Sequence, residues 1–236
     1  MPRKPRFFLP KIPVHIIIRG HSRKVIFAET ADYQAYLGWL KESAETYNCQ
    51  IHAYVLMSNH VHLLVSASDP KNLSKLPQSV GRRYVPFFNH KYGCSGTLWE
   101  GRFKANSIDS ECYLLRCYRY IELNPVRAKM VEKPDEYLWS SYGANAYGAN
   151  NSIVTPHPLY LALGKDSKQR TKNYREGFKD ILEEKLIGEI RASVQTGTPL
   201  GSDKFKMEVE NLLGVKVGQS RRGRPPKKGK VVDIVS

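Results

Sequence analysis

Residues 51–66 read IHAYVLMSNHVHLLVS. Two apolar, partly β-branched runs, 51–58 and 60–66, meet at Ser58-Asn59, a pair with turn chemistry. The stretch therefore predicts two strands joined antiparallel through a tight turn. Upstream, VHIIIRG at 14–20 is nearly continuous and β-branched, the pattern of a central strand. Between these runs Tyr33, Tyr36, Leu37, Leu40 and Ala44 recur at helical spacing within 32–47. Downstream, 71–90 predicts a second helix, broken or bent near Pro77 and Pro86. Gly93 to Gly96 predict a turn, and TLWEGRFKANSI at 97–108 has extended character. Asp109 or Ser110 can cap the next helix, ECYLLRCYRYIELN. That helix should stop near Asn124, because Pro125 disfavours helix in the residue before it. The order β-α-β-β-α-β, with a further helix, predicts an α+β ferredoxin-like split βαβ sandwich.

The pattern loosens after residue 130. Tyr137, Trp139 and Tyr142 are expected to pack the end of the core, and GANAYGANN at 143–151 reads as a linker or flexible loop. One or two helices are expected in 158–190, and a short amphipathic one from Asp203 to Leu213. The segment 216–230, KVGQSRRGRPPKKGK, carries seven basic residues and no acidic one. The expected division is a domain at 1–145 with a basic N-terminal arm (Arg3, Lys4, Arg6, Lys11), a helical extension at 146–215 and a basic tail at 216–236.

Of the 236 residues, 37 are Lys or Arg and 22 are Asp or Glu, a net charge of +15. Such an excess favours a polyanionic partner, nucleic acid first. No apolar stretch of 18 residues exists, and the first residues are too short and charged an apolar run for a signal peptide, so no membrane role is expected. Cys49, Cys94, Cys112 and Cys117 form no CxxC, which suggests free thiols in a reducing cytoplasm rather than a zinc or disulfide framework.

His60 and His62 are i and i+2 on a predicted strand, so both rings leave one face, while Val61 and Leu63 leave the other. Two adjacent imidazoles can hold one divalent cation; the alternative is a pair of surface or hydrogen-bonded histidines. Tyr113, Arg116, Tyr120 and Asn124 share a helical stripe. A tyrosine can be a nucleophile, an arginine can hold phosphate, and an asparagine offers an amide oxygen as a third ligand. The alternative is that Tyr118 or Tyr120 is a core aromatic. His15 reads as a packed or hydrogen-bonded strand histidine, and His157 as a loop residue.

Taken together, VHIIIRG, LMSNHVHLLV, LWEGRFKA, YIELNPVRA and LWSSYGA resemble the single-tyrosine HUH transposases, and among them the REP-associated tyrosine transposases, over about residues 10–145. The resemblance implies cleavage of single-stranded DNA, usually at folded hairpins, through a covalent 5′-phosphotyrosine. It implies His60 and His62 as metal ligands, Tyr120 as nucleophile and Asn124 as the helix-borne third ligand, where the wider family often has glutamine. Tyr118 is the weaker nucleophile, since it points roughly 160° from Tyr120 on a helix. Magnesium or manganese suits the phosphate chemistry. Arg102, Lys104 and Arg116 are expected to touch DNA. Arg222-Gly223-Arg224-Pro225 resembles an AT-hook core that would enter an A·T-rich minor groove, the alternative being a nonspecific phosphate-binding tail. A cytoplasmic, nucleoid-associated monomer or homodimer is expected. The rival functions are a non-catalytic DNA-binding regulator and a mobile-element transposase acting on its own flanking ends.

Overall fold

The computed structural model describes residues 8–178 and 182–214. Arg3, Lys4 and Arg6 of the arm, and the tail with Arg222 and Arg224, lie outside the described residues. The expected strand pair forms as β2 (Cys49–Met57) and β3 (His60–Ala67), antiparallel across Ser58-Asn59. β1 (Val14–Arg19) lies beside β3, and β4 (Lys104–Ser107) beside β1. The sheet has four strands in the order β2-β3-β1-β4, every pair antiparallel. This is the α+β split βαβ plan.

Register decides which side chains share a face. Ile17 pairs with His62 and Arg19 with His60, while His15 lies opposite Leu64 on one side and Asn106 on the other. The polar set His15, Arg19, His60, His62, Lys104 and Asn106 therefore occupies a single face. Val14, Ile16, Ile18, Val61, Leu63 and Val65 occupy the opposite face, in the apolar core that includes α1 (Thr30–Thr46) and α2 (Asn72–Tyr92). Asp32 joins these two helices: its carboxylate accepts from Lys91 Nζ at 2.6 Å and from the Tyr92 hydroxyl at 2.7 Å.

α2 is continuous through both prolines; of the expected break or bend, the break does not occur. An interior proline costs about 3 kcal/mol. Leu73, Leu76, Val80, Tyr84 and Phe88 form one buried stripe along the helix, and each such side chain returns about 1.5–3 kcal/mol. The stripe outweighs the two prolines. The extended stretch at 97–108 is shorter than expected: Trp99 makes an isolated bridge to Gly20, and strand geometry begins only at Lys104. Gly20 is required here, because a Cβ would sit 2.4 Å from the Lys24 carbonyl oxygen.

α3 (Ser110–Glu122) is capped by Asp109, whose side chain accepts from the Glu111 amide at 3.1 Å. It ends at Glu122, two residues before the expected stop, and α4 (Asn124–Arg127) follows with Pro125 in its first turn. Leu123 thus separates Asn124 from α3 proper. The expected linker at 143–151 instead begins as a helix, α5 (Tyr142–Tyr147). Three further helices, α6 (Pro158–Leu161), α7 (Ser167–Glu176) and α8 (Glu184–Thr196), occupy the stretch where one or two were expected, and α9 (Asp203–Leu213) closes the described chain.

These later residues cover the sheet edges. On β2, the Leu56 amide donates to Trp139 O, the Ser141 amide to Tyr54 O and the Thr155 amide to Ile51 O. At the β4 end, the Leu200 amide donates to Ser107 O. Such pairing consumes backbone groups that an open edge would expose. α3 lies between the polar face of the sheet and α5–α7: Tyr118, fully buried, stacks with Tyr160 and meets Tyr174 edge-on.

Candidate active site

β3 carries His60 and His62 toward α3, and α3 carries Tyr120 back onto them. The Tyr120 ring stands edge-on to His62 and to His15, with centroids 5.7 and 5.8 Å apart. His60 and His62 are 5.0 Å apart, centroid to centroid. Tyrosine and histidines come from one chain. The helical stripe drawn from the sequence thus meets His62 at Tyr120. Tyr118, on the other side of α3, faces the C-terminal helices.

Each histidine of the pair has one nitrogen engaged. His60 Nδ1 donates to Asn59 Oδ1 at 2.6 Å, which leaves Nε2 with its lone pair. His62 Nδ1 is hydrogen-bonded to His15 Nε2 at 2.8 Å. Burial pushes the His60 imidazole down to about 4, with Arg19 nearby adding to the effect. Burial also drives His62 well below its ordinary range, with contributions from His60, His15, Arg127 and Arg19. Both rings are therefore neutral near pH 7, the form that ligates a cation.

Asn124 is half-buried, and its amide nitrogen has no hydrogen-bond partner. Its side chain is not committed to holding the fold. Among the described residues no group of three His, Cys, Asp or Glu gathers that could hold a metal ion.

Arg127 is a residue that sequence reading passed over. Pro125 has no N–H to continue α3, and the chain turns so that Arg127 Nη2 donates to the Tyr120 carbonyl at 2.6 Å. This sets the guanidinium 4.4 Å from the centre of the Tyr120 ring. Its Nε and Nη1 are buried without a partner. A desolvated cation with open donors is costly unless an anion joins it. The only signal in the sequence was the basic residue two places after Pro125.

Glu122 was also passed over. It is fully buried, and its carboxylate accepts from Ser141 Oγ (2.5 Å), Asn145 Nδ2 (2.8 Å) and the Tyr174 hydroxyl (2.6 Å). This network fastens the tyrosine-bearing helix to α5 and α7. Burial raises the Glu122 carboxyl to about 7, against the lowering by those three donors. A carboxyl raised in the folded state contributes stability that is fully present below its unfolded value, near 4.5, and is lost as pH rises through 7. Thermal unfolding of the wild type is therefore expected to lose on the order of 3 kcal/mol between pH 4.5 and 8. Glu122→Gln should flatten that interval; a variant with an undiminished slope assigns the loss to another group.

Of the remaining sequence candidates, Lys104 is on the histidine face, and its ammonium is bonded to Gln195 Oε1. Arg116 is exposed on α3, its guanidinium 5.6 Å from the Tyr113 ring centre. Arg102 lines a cavity of about 460 Å³ with Ile18, Gly81, Val85 and Trp99. Ile18 points away from the histidines, so that cavity opens on the other side of the sheet.

Residues 9–124 match the family model described as transposase IS200 like. A solved structure of a REP-associated tyrosine transposase bound to a REP hairpin is 18% identical, with a TM-score of 0.53, over 66% of this chain and 93% of that one. A second, described as a transposase from Deinococcus radiodurans R1, is 23% identical with a TM-score of 0.37, over 51% of this chain and 95% of that one. No curated protein matches. The family match marks a DNA-cleaving tyrosine enzyme. The chain belongs to the single-tyrosine HUH transposases, whose mechanism is metal-dependent. Among the described residues no helix is long and apolar enough to cross a membrane.

Proposed function

We propose that this chain is a cation-dependent endonuclease and strand transferase of the REP-associated type, cutting single-stranded DNA beside a hairpin. Tyr120 is its nucleophile, and His60, His62 and Asn124 hold the cation. The observation that carries this reading is the seating of the Tyr120 ring against His62 within one chain, with the Nε2 atoms of both histidines uncommitted. The solved structure with a bound REP hairpin supports the substrate class, as does the net charge of +15.

The Tyr120 oxygen forms a bond to phosphorus, and the bond from phosphorus to the 3′ oxygen breaks. The phenol proton is lost and the departing oxygen takes one up, giving a free 3′-OH and a 5′-phosphotyrosine. One phosphodiester replaces another, so a DNA 3′-OH can reverse the step and join strands. Magnesium or manganese held by the two imidazoles and the amide would polarise a phosphate oxygen and reduce the charge opposing attack. The donor set carries no negative charge, and such a cation takes the rest of its ligands from phosphate and water.

Arg127 supplies the second positive group. Its open Nε and Nη1, on different sides of the guanidinium, can each donate to a phosphate oxygen beside the nucleophile. Arg127→Ala should slow covalent adduct formation about 10²–10³-fold while hairpin affinity changes only several-fold. A rate within threefold of wild type leaves the guanidinium as a support for the Tyr120 carbonyl alone.

The chain works with its own tyrosine, as a monomer. Arg102 and Arg116 contact DNA flanking the cut, and the Arg222–Arg224 tail holds an A·T-rich duplex nearby. The test is direct: a labelled hairpin with a single-stranded flank is mixed with the protein and Mg²⁺ or Mn²⁺. A denaturant-resistant adduct is expected, with the DNA mass on the Tyr120 peptide. Hairpin binding without any adduct would instead favour a DNA-binding regulator.

A further inference from the structure

We propose that His15 is the positioning residue for His62, backed in turn by Asn106, so that a three-residue chain across β4, β1 and β3 decides which nitrogen His62 presents. The inference rests on His60, His62 and Asn124 being the cation's ligands.

The argument begins with register. His15 sits two pairs along the β1–β3 ladder from the Ile17–His62 pair, on the same face, and directly opposite Asn106 on β4. His15 is 0% exposed and Asn106 is 2% exposed. The His15 and His62 rings are stacked with centroids 5.0 Å apart, and Nε2 of the first meets Nδ1 of the second at 2.8 Å. That contact can carry its proton on either ring. With the proton on His15, the neutral His62 ring would carry its own proton on Nε2 and could not ligate there. With it on His62 Nδ1, His62 Nε2 is a lone pair, the same arrangement Asn59 imposes on His60. His15 then has its proton on Nδ1, an atom that is buried without a partner. Across the ladder, both polar atoms of the Asn106 amide are also buried without a partner.

Facing residues in a sheet have Cβ atoms about 5 Å apart, so a change of rotamer brings the Asn106 oxygen within reach of the His15 Nδ1–H. The chain that results, Asn106 to His15 to His62, satisfies the buried orphan on His15 and the amide oxygen, and leaves one open nitrogen facing Tyr120. Groups of this kind, which donate to or accept from a ligating histidine's other nitrogen, set its tautomer and its affinity for the ion.

The experiment uses the full chain, ¹⁵N-labelled, without metal for imidazole tautomers and with Mn²⁺ alone for affinity. Wild-type His62 should show the Nδ1–H tautomer. His15→Phe should shift it toward Nε2–H and weaken Mn²⁺ binding about 10–100-fold. His15→Gln, whose side-chain oxygen can accept the same proton, should recover most of both. Asn106→Leu should weaken Mn²⁺ several-fold and serves if His15→Phe does not fold. An unchanged His62 tautomer, or Mn²⁺ affinity within twofold of wild type in both His15→Phe and Asn106→Leu, overturns the proposal. A tautomer shift in His15→Phe together with no Mn²⁺ binding by the wild type upholds the positioning role and removes the cation assignment instead.

Discussion

Tyr120→Phe is expected to abolish the covalent protein–DNA adduct, with a loss of at least about 10⁴-fold in strand cleavage, while hairpin binding stays within a few-fold. The substitution removes one oxygen and keeps the ring. The edge contacts with His62 and His15, and the Arg127 guanidinium over the ring face, all involve the aromatic carbons. The backbone carbonyl that accepts from Arg127 is also kept. Folding stability should therefore hardly change, which thermal unfolding checks, and the chemical loss can be read without a structural one. Tyr118 is no substitute nucleophile, because it is fully buried against α6 and α7: its ring packs on Tyr160 and Tyr174. An adduct of wild-type yield in Tyr120→Phe would move the nucleophile to another residue and remove the proposed mechanism.

Replacing the histidine pair comes second in size. His60→Ala with His62→Ala should lower cleavage about 10³-fold or more, without further loss when combined with Tyr120→Phe, since residues acting as a unit are not additive. Of the single changes, His62→Ala should cost more. His62 is 3% exposed and bonded to His15, so its loss opens a buried space and strands the His15 nitrogen, whereas His60 is only partly buried and hydrogen-bonded to its neighbour Asn59. Measuring adduct yield against Mn²⁺ concentration separates the effects. A variant that loses cleavage but regains it at high Mn²⁺ has lost cation affinity. Unchanged cleavage in the double variant would end the role of the pair.

Much of this centre was legible beforehand. His60 and His62 alternate along a strand, and that alternation survives any fold in which the strand forms. Tyr120 and Tyr118 were separable by helical geometry alone, and the structure sets them on opposite sides of α3. The misses have physical causes. Pro77 and Pro86 argued for a broken helix, yet propensity is local and the stripe from Leu73 to Phe88 is buried by distant residues. GANAYGANN looked like a linker because small residues carry little pattern; Asn145 is buried there because Glu122, 23 positions earlier, needs a donor. Arg127 signalled only its charge, since its place over Tyr120 depends on how the chain turns after Pro125.

From the order of residues alone came the strand–turn–strand at 51–66, the alternation that pairs the imidazoles, the helix that bears the tyrosine and the basic character of the whole. These follow from periodicity and turn chemistry, which act over a few residues. Only the folded chain decided that His15 lies against His62, that Asn106 faces His15, that Arg127 sits over Tyr120 and that residues from 139 to 200 close both edges of the sheet. Those meetings depend on strand order and register, set by burial summed over the whole molecule, and no local pattern encodes them.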